Sequence, residues 1–242
     1  MRRNEMNRYV RAQLAAVILA SAAAPAMAAE VIPYVEGFGG YSIGTQSGGN
    51  GDIVNGDGFG GDFGSSGNFG GGVGIKIPVD NVAFRFDITG NFNPSLGGDN
   101  HGGTLADGTP VTAKVKLADT AYLATAYIDV DVGLPVVPFV GFGLGGSHKK
   151  VGTVVFSNPA GAFATVTGND REGVAWTATL GATYTVIPHV EIDLAYRYID
   201  AGQVNSGTSI TDLTNGTVQG LNTQISSNLQ IHQFGATLRY LF

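Results

Sequence analysis

The chain contains no cysteine. Disulfide staples and thiolate metal sites are therefore excluded, even in an oxidising compartment. Charge is also sparse: Asp, Glu, Lys and Arg make up 13% of the 242 residues, with 13 basic against 19 acidic. Four of the basic residues (Arg2, Arg3, Arg8 and Arg11) and a single acid, Glu5, fall within residues 1–28. The rest of the chain therefore has a net charge of about −9. Nucleic-acid binding depends on clustered Lys and Arg, so this composition excludes that partner. Long apolar runs are lacking too. After Ala24 no uncharged stretch approaches the roughly 20 apolar residues of a membrane-spanning helix. Disorder is a poor alternative, because aromatic residues reach 10%.

The first segment reads as an export signal. Arg2, Arg3, Arg8 and Arg11 form a basic region, Ala12–Ala24 is apolar, and Ala26-Met27-Ala28 supplies a small-x-small cleavage site. Residues 1–28 are thus expected to be a signal peptide and 29–242 the mature domain. About 214 mature residues suit one all-β domain.

Alternation carries the structural information. In the terminal stretch Phe234–Phe242, Phe234, Ala236, Leu238, Tyr240 and Phe242 share one face of an extended strand; Gly235, Thr237, Arg239 and Leu241 share the other. The same pattern opposes Val82, Phe84, Phe86 and Ile88 to Ala83, Arg85, Asp87, Thr89 and Asn91. It recurs with Val190, Ile192, Leu194, Tyr196 and Tyr198 against Glu191, Asp193, Ala195 and Arg197. Short turns at Pro78–Asn81, Gly133–Val137 and Ile187–His189 lie about 54 residues apart. Polar stretches near 45–67, 93–113, 149–172 and 200–227 read as long mobile loops. Eight strands result, at 33–43, 68–77, 82–92, 114–132, 138–148, 173–186, 190–199 and 228–242. The fourth is less regular, with a phase shift expected at a bulge near Asp119. The first is ambiguous, because Glu36 and Phe38 share a face. Short turns on one side and long loops on the other predict an eight-stranded antiparallel up-and-down transmembrane β-barrel.

Orientation is the deciding question. A soluble lipocalin-like barrel would put the apolar face inward around a ligand. Here Gly and Thr concentrate on the charged face, as a narrow lumen demands. Tyr184, Tyr196, Tyr198, Tyr240 and Phe242 gather at strand ends on the apolar face, as interfacial girdles do. The expected lumen set is Lys76, Arg85, Asp87, Asp129, Asp131, Glu191, Asp193, Arg197 and Arg239, four positive and five negative groups. In a lumen only just wide enough for side chains, such charges are paired or hydrated. Their alternative role is to line a small ion path.

Other sites carry less. His101, His148, His189 and His232 show no metal-ligand spacing. Ser147-His148 is the only adjacent Ser–His pair, and neighbours on a strand point apart. Asp52, Asp57 and Asp62 in the glycine-rich first loop faintly suggest calcium ligands without the terminal Glu. No cofactor, metal or catalytic residue is expected. Lys149-Lys150 with Lys114 and Lys116 lie toward the loop side, within reach of lipopolysaccharide phosphates.

Short motifs carry a family likeness. Pro138-Phe-Val-Gly-Phe-Gly-Leu-Gly-Gly146 resembles the Pro-aromatic-Val-Gly-x-Gly-x-Gly strand of the opacity-type surface proteins, and Ala126-Tyr-Ile-Asp-Val130 resembles the Tyr-Asp strand preceding it. Leu238-Arg-Tyr-Leu-Phe242 resembles their carboxy-terminal assembly signal, with Leu238, Tyr240 and Phe242 as its apolar positions. Those proteins are small outer-membrane barrels similar to the OmpA/OmpX barrel, common in α-proteobacteria and sometimes described as porins. The resemblance implies a surface-exposed structural or antigenic barrel without a shared catalytic site. Outer-membrane lipids, lipopolysaccharide and the outer-membrane assembly machinery are the implied partners, with a monomer expected. A channel, a loop-mediated adhesin and a lipid A-modifying enzyme remain the rival functions. A peptidoglycan-binding domain is not recognised, so wall anchoring is not expected.

Overall fold

A computed structural model describes residues 30–50, 62–220, 224 and 226–242. The predicted signal segment 1–28 lies outside these residues, as do Asp52 and Asp57. In chain order the described strands are β1 (Ile32–Asn50), β2 (Asp62–Val79), β3 (Val82–Thr104), β4 (Pro110–Val130), β5 (Val136–Val151), β6 (Val154–Asn158), β7 (Gly161–Val166), β8 (Asn169–Ile187), β9 (Val190–Asn205), β10 (Ser209–Asp212), β11 (Val218–Gly220) and β12 (Ser226–Leu241). Eight long ones form the wall in the order β4-β3-β2-β1-β12-β9-β8-β5. Pairing of β4 with β5, from Leu117↔Val151 to Asp129↔Phe139, closes the ring. All pairings are antiparallel, and β1 meets β12 from Tyr34↔Leu241 onward. The predicted all-β, eight-stranded barrel is the fold observed.

Two of the short turns are two residues long, at Asp80-Asn81 and Pro188-His189. Asp80 and His189 hold the positive φ, 52° and 72°, that lets so short a connection reverse the chain. His189 also fixes the end of the closing strand: its carbonyl accepts from Leu241 N at 2.8 Å.

The wall has two halves with opposite solvent logic. Near the turns, large apolar side chains point outward and are exposed, among them Val73, Phe86, Val140, Leu194 and Leu238. Inward positions on the same strands hold buried Arg85, Asp87, Asp129, Asp193 and Arg239. Toward the loops the polarity inverts. There Leu96, Val111, Leu117, Phe156, Val166, Ile199, Leu229 and Ile231 are buried in one apolar cluster inside the wall. The strands are longer than a membrane requires. At about 3.3 Å per residue, the 23 residues of β3 span roughly 75 Å, whereas 9–11 residues suffice to cross. The excess projects on the loop side.

The loop expectation is corrected where the residues are described; residues 51–61 of the first stretch and 221–223 and 225 of the fourth lie outside them. Between β3 and β4 only residues 105–109 fall outside strands, and the loop after β5 contains β6 and β7. β6 pairs with β4 through Thr112↔Ser157 to Lys114↔Val155, and β7, β10 and β11 continue the sheet. Burial of apolar inward residues stabilises these extensions, at roughly 1.5–3 kcal/mol for each large side chain. At their tips Asp107 and Asp212 sit below the usual carboxylate range. Asp107 accepts the Thr109 N–H, and Asp212 accepts the Thr214 hydroxyl and N–H.

β4 has no phase shift. Odd residues from Val111 to Asp129 are buried without interruption, and its register with β5 is regular across Asp119. The irregularity lies in β3, between Asn93 and Leu96. On β1, Glu36 and Phe38 do share the inward face, because the Arg197 guanidinium stands 5.0 Å above the Phe38 ring.

Candidate functional site

The turn-side half of the lumen holds a continuous ionic layer. Arg239 is its hub: Nη1 donates to Glu191 Oε2 at 2.9 Å, Nη2 to Asp193 Oδ2 at 2.5 Å, and Nη2 also reaches Glu36 Oε2 at 3.4 Å. Glu36 and Glu191 are its register partners on the two flanking strands, so the contact spans the seam between the first and last strands. Lys76 Nζ donates to the other Glu191 oxygen at 2.6 Å. Arg85 Nε binds Asp129 at 2.9 Å, and Nη1 reaches Asp193 at 3.3 Å. Asp193 thus bridges two arginines, and it also accepts the Thr183 hydroxyl at 2.7 Å.

Aromatic rings fill the gaps between these charges. Tyr34 donates its hydroxyl to Asp87 at 3.2 Å and lies under Arg239, 4.9 Å from ring centre to guanidinium. Arg85 packs over Tyr127 and Phe139 at 4.7 and 4.6 Å. Arg197 donates to the Tyr127 hydroxyl at 3.3 Å. All eight wall strands supply at least one of these side chains. Inward glycines make room for the rings. A methyl added at Gly70 would overlap Phe38, at Gly74 Tyr34, at Gly141 Tyr127 and at Gly181 Phe139. Glycine on the charged face is therefore the space into which a neighbouring strand's ring folds.

Above this layer lies an amide cluster. Asn91 Nδ2 donates to Gln233 Oε1 at 2.8 Å and Asn93 Nδ2 to Asn91 Oδ1 at 3.2 Å. Ser42 donates to Asn93 at 2.7 Å, and Gln233 Nε2 reaches Ser42, Asn91 and Asn93 at 3.0–3.1 Å. Beside it Ser147 donates to Asp119, and Lys149 donates to the Ala201 carbonyl. The apolar cluster caps the stack. A cavity at its edge, about 40 Å³, is lined by Phe63, Val115, Val151, Val154 and Val204 together with Asn205, Ser206, Ser226 and Ser227, and is far below the ~150 Å³ that admits benzene.

Of the nine predicted lumen charges, Lys76, Arg85, Asp87, Asp129, Glu191, Asp193, Arg197 and Arg239 face inward in this layer. Asp131 does not. It lies past the end of β4, exposed, where its carboxylate caps Gly133 N at 2.8 Å. The reason is strand length: β4 ends one residue short of it. Glu36 takes its place, which leaves four positive and five negative groups. Sequence reasoning also missed Tyr34, Tyr127 and the amide cluster, although Asn91 already stood on the inward face.

The loop-side candidates separate. Lys149 is buried in the lumen, not displayed at the rim, because its odd-numbered face on β5 points inward. Lys114, Lys116 and Lys150 are exposed. Ser147 is buried, whereas His148 sits on the outer face, 3.7 Å from Glu172. His232 accepts from or donates to the Tyr196 hydroxyl at 2.7 Å on the outer wall. The side chains of Asp62 and His101 are outside the described residues. Leu238, Tyr240 and Phe242 point outward and are exposed.

Known proteins are similar to this chain. A stretch of 151 residues is 28% identical to the outer membrane protein PagN of Salmonella typhimurium, covering 58% of this chain and 61% of PagN. The chain thus spans less than two thirds of that relative's length. Neisserial surface protein A aligns over 87% of this chain and 97% of its own, at 19% identity and a TM-score of 0.46. OprG of Pseudomonas aeruginosa aligns over 86% and 96%, at 13% identity and a TM-score of 0.45. The model of the outer membrane protein beta-barrel domain matches residues 12–242. With that match, a closed wall of eight strands and an outward apolar band, the chain belongs to the outer membrane protein beta-barrel domain family and is a protein of the bacterial outer membrane.

Proposed function

We propose that this protein acts as a closed structural barrel that carries a folded platform above the outer leaflet. The observation behind this reading is the filled lumen: an ionic layer drawn from six of the eight strands, rings seated over inward glycines, and an apolar cap. Among the described residues such packing supports a closed lumen, in keeping with the limited bore of eight strands. The ionic layer is structural on this reading, and Leu238, Tyr240 and Phe242 are the signal read during assembly. Single-channel recording of the refolded protein in planar bilayers tests it. The expected trace is flat; reproducible unitary steps would establish a channel instead.

A second reading concerns the platform. The β6-β7-β10-β11 sheet extends from β4 and exposes Leu213 and Val218. These features favour contact with another surface through the loops. Deleting residues 209–220 should then abolish binding to that surface while the wall remains folded; retained binding would eliminate the reading.

A further inference from the structure

Residues 29–242 hold nine cations, and their placement is lopsided. Lys76, Arg85, Arg197 and Arg239 belong to the ionic layer, Lys149 is buried above it, and half-buried Arg171 is the register partner of Lys149. The three that remain, Lys114, Lys116 and Lys150, are exposed on the outer face of two adjacent strands. Lys150 is opposite Ala118, and Gly152 N donates to the Lys116 carbonyl, so Lys116 and Lys150 are diagonal neighbours. Each Cβ is then within about 8 Å of the next. A chain of net negative charge has collected its outward cations on one sector of its wall.

Height selects the partner. On β4 the last outward aromatic is Tyr122, and on β5 the last large outward apolar residue is Leu144. Lys116 and Lys150 each lie six residues beyond. The flanking strands carry the band two residues higher, with outward Phe92 opposite Thr120 and outward Val174 opposite Gly146, so at about 3.3 Å per residue and a tilt near 40° the lysines stand roughly 10 Å above it. A phospholipid headgroup zone is only about 5–8 Å deep on each side, so its phosphates remain below these lysines. The ammonium groups also face sideways, toward whatever surrounds the wall. We propose that this sector binds the phosphorylated saccharide of lipopolysaccharide, whose acyl chains lie against the apolar band below. The nearby acids define the limits of the site. Asp99 lies 3.7 Å from Lys114, Asp170 is opposite Lys150, and Glu172 contacts His148. Among the described residues Lys116 and Lys150 make no ion pair, and they are the principal contacts.

The test uses the full folded protein in detergent micelles, titrated with lipopolysaccharide carrying a phosphorylated core, with lipid A alone and with phosphatidylglycerol. The expected order is core-bearing lipopolysaccharide tightest, with binding that weakens as salt rises. Each of Lys116→Gln and Lys150→Gln should lose about fivefold in affinity, and the triple variant with Lys114→Gln about 100-fold. Asp99→Asn should tighten binding by freeing Lys114. Gel mobility of the folded form checks that each variant retains its wall. Equal affinity for lipid A or phosphatidylglycerol, or a triple variant that binds like the parent, overturns the assignment. Neither result bears on whether the lumen conducts.

Discussion

Replacing Arg239 by Met should be among the most damaging single changes in the wall. The side chain is 1% exposed and its guanidinium serves Glu36, Glu191 and Asp193 at once. Methionine keeps much of the volume and removes the charge, so the cost is electrostatic rather than a cavity. Three carboxylates then face one another with Lys76, Arg85 and Arg197 to offset them. Breaking a buried pair by removing one partner costs about 3–5 kcal/mol, because the remaining charge stays desolvated. A charge pair at about 4 Å in an effective dielectric near 20 gives a similar figure, about 4 kcal/mol. The exposed Lys114–Asp99 pair supplies the contrast. Both its side chains are 62% exposed, and such pairs contribute about 0–1 kcal/mol. Lys114→Met should therefore be nearly silent in the same assay.

Urea titration of the folded barrel in phospholipid vesicles measures both, with the single tryptophan, Trp176 on the outer wall, as reporter. Arg239→Met is expected to lose about 3–5 kcal/mol, and adding Asp193→Asn should recover part of it by removing one stranded charge. The loss should persist in 1 M salt, since screening acts on exposed charges far more than on buried ones. A cost below about 1 kcal/mol, or one that high salt abolishes, would refute the view that this layer is a dry, mutually dependent network.

Other changes probe the remaining layers. Gly141→Ala should cost about 1–3 kcal/mol by forcing its new methyl into the Tyr127 ring, whereas Gly133→Ala, in an open turn, should carry only backbone strain; urea titration separates them. Phe156→Ala should destabilise the loop-side cluster by about 3–5 kcal/mol and make the β6–β7 segment protease-sensitive while the membrane half stays intact. Phe38→Ala combined with Tyr34→Ala removes two of the rings that fill the ionic layer, and on the closed-barrel reading its bilayer conductance should exceed that of the parent.

The wall was legible in the sequence because one physical rule, period two with an apolar outside, holds for the wall strands within the membrane apart from β1, which turns Gly37 and Gly39 outward and Tyr34 and Phe38 inward. The ionic layer was legible for the same reason: once Arg85, Asp87, Glu191, Asp193 and Arg239 stand opposite apolar residues, their shared face follows. Their partners were not. Whether Arg239 meets Glu36 or Asp193 depends on register between strands separated in the chain by 203 and 46 residues, which alternation leaves open. The rings over glycines were hidden likewise, since Phe38 on a charged face looks like an error until Arg197 lies above it.

The projecting half misled for a more general reason. On β4 the outward series runs Val130, Ile128, Ala126, Ala124, Tyr122, and beyond it Thr120, Ala118, Lys116 and Lys114; the inward series runs Asp129, Tyr127, Thr125, and beyond it Leu123, Ala121, Asp119, Leu117 and Val115, apolar but for Asp119, which accepts from Ser147. Apolar character changes sides while the backbone keeps its phase, which looks like a bulge near Asp119. The same exchange occurs on β9 after Tyr198, where Ile199 is buried, and on β12 beyond Phe234, where Ile231 and Leu229 are buried. These positions are neighbours in the ladder: Phe234 pairs with Tyr196 and Ile231 with Ile199. A bulge is a local event and has no reason to recur at matching heights on adjacent strands. A change of surrounding solvent does, because water replaces lipid at one level for the whole wall, and a strand leaving the bilayer must bury its apolar residues on the other face. An apparent phase break that aligns across paired strands therefore marks the outer edge of the membrane rather than a defect in the sheet.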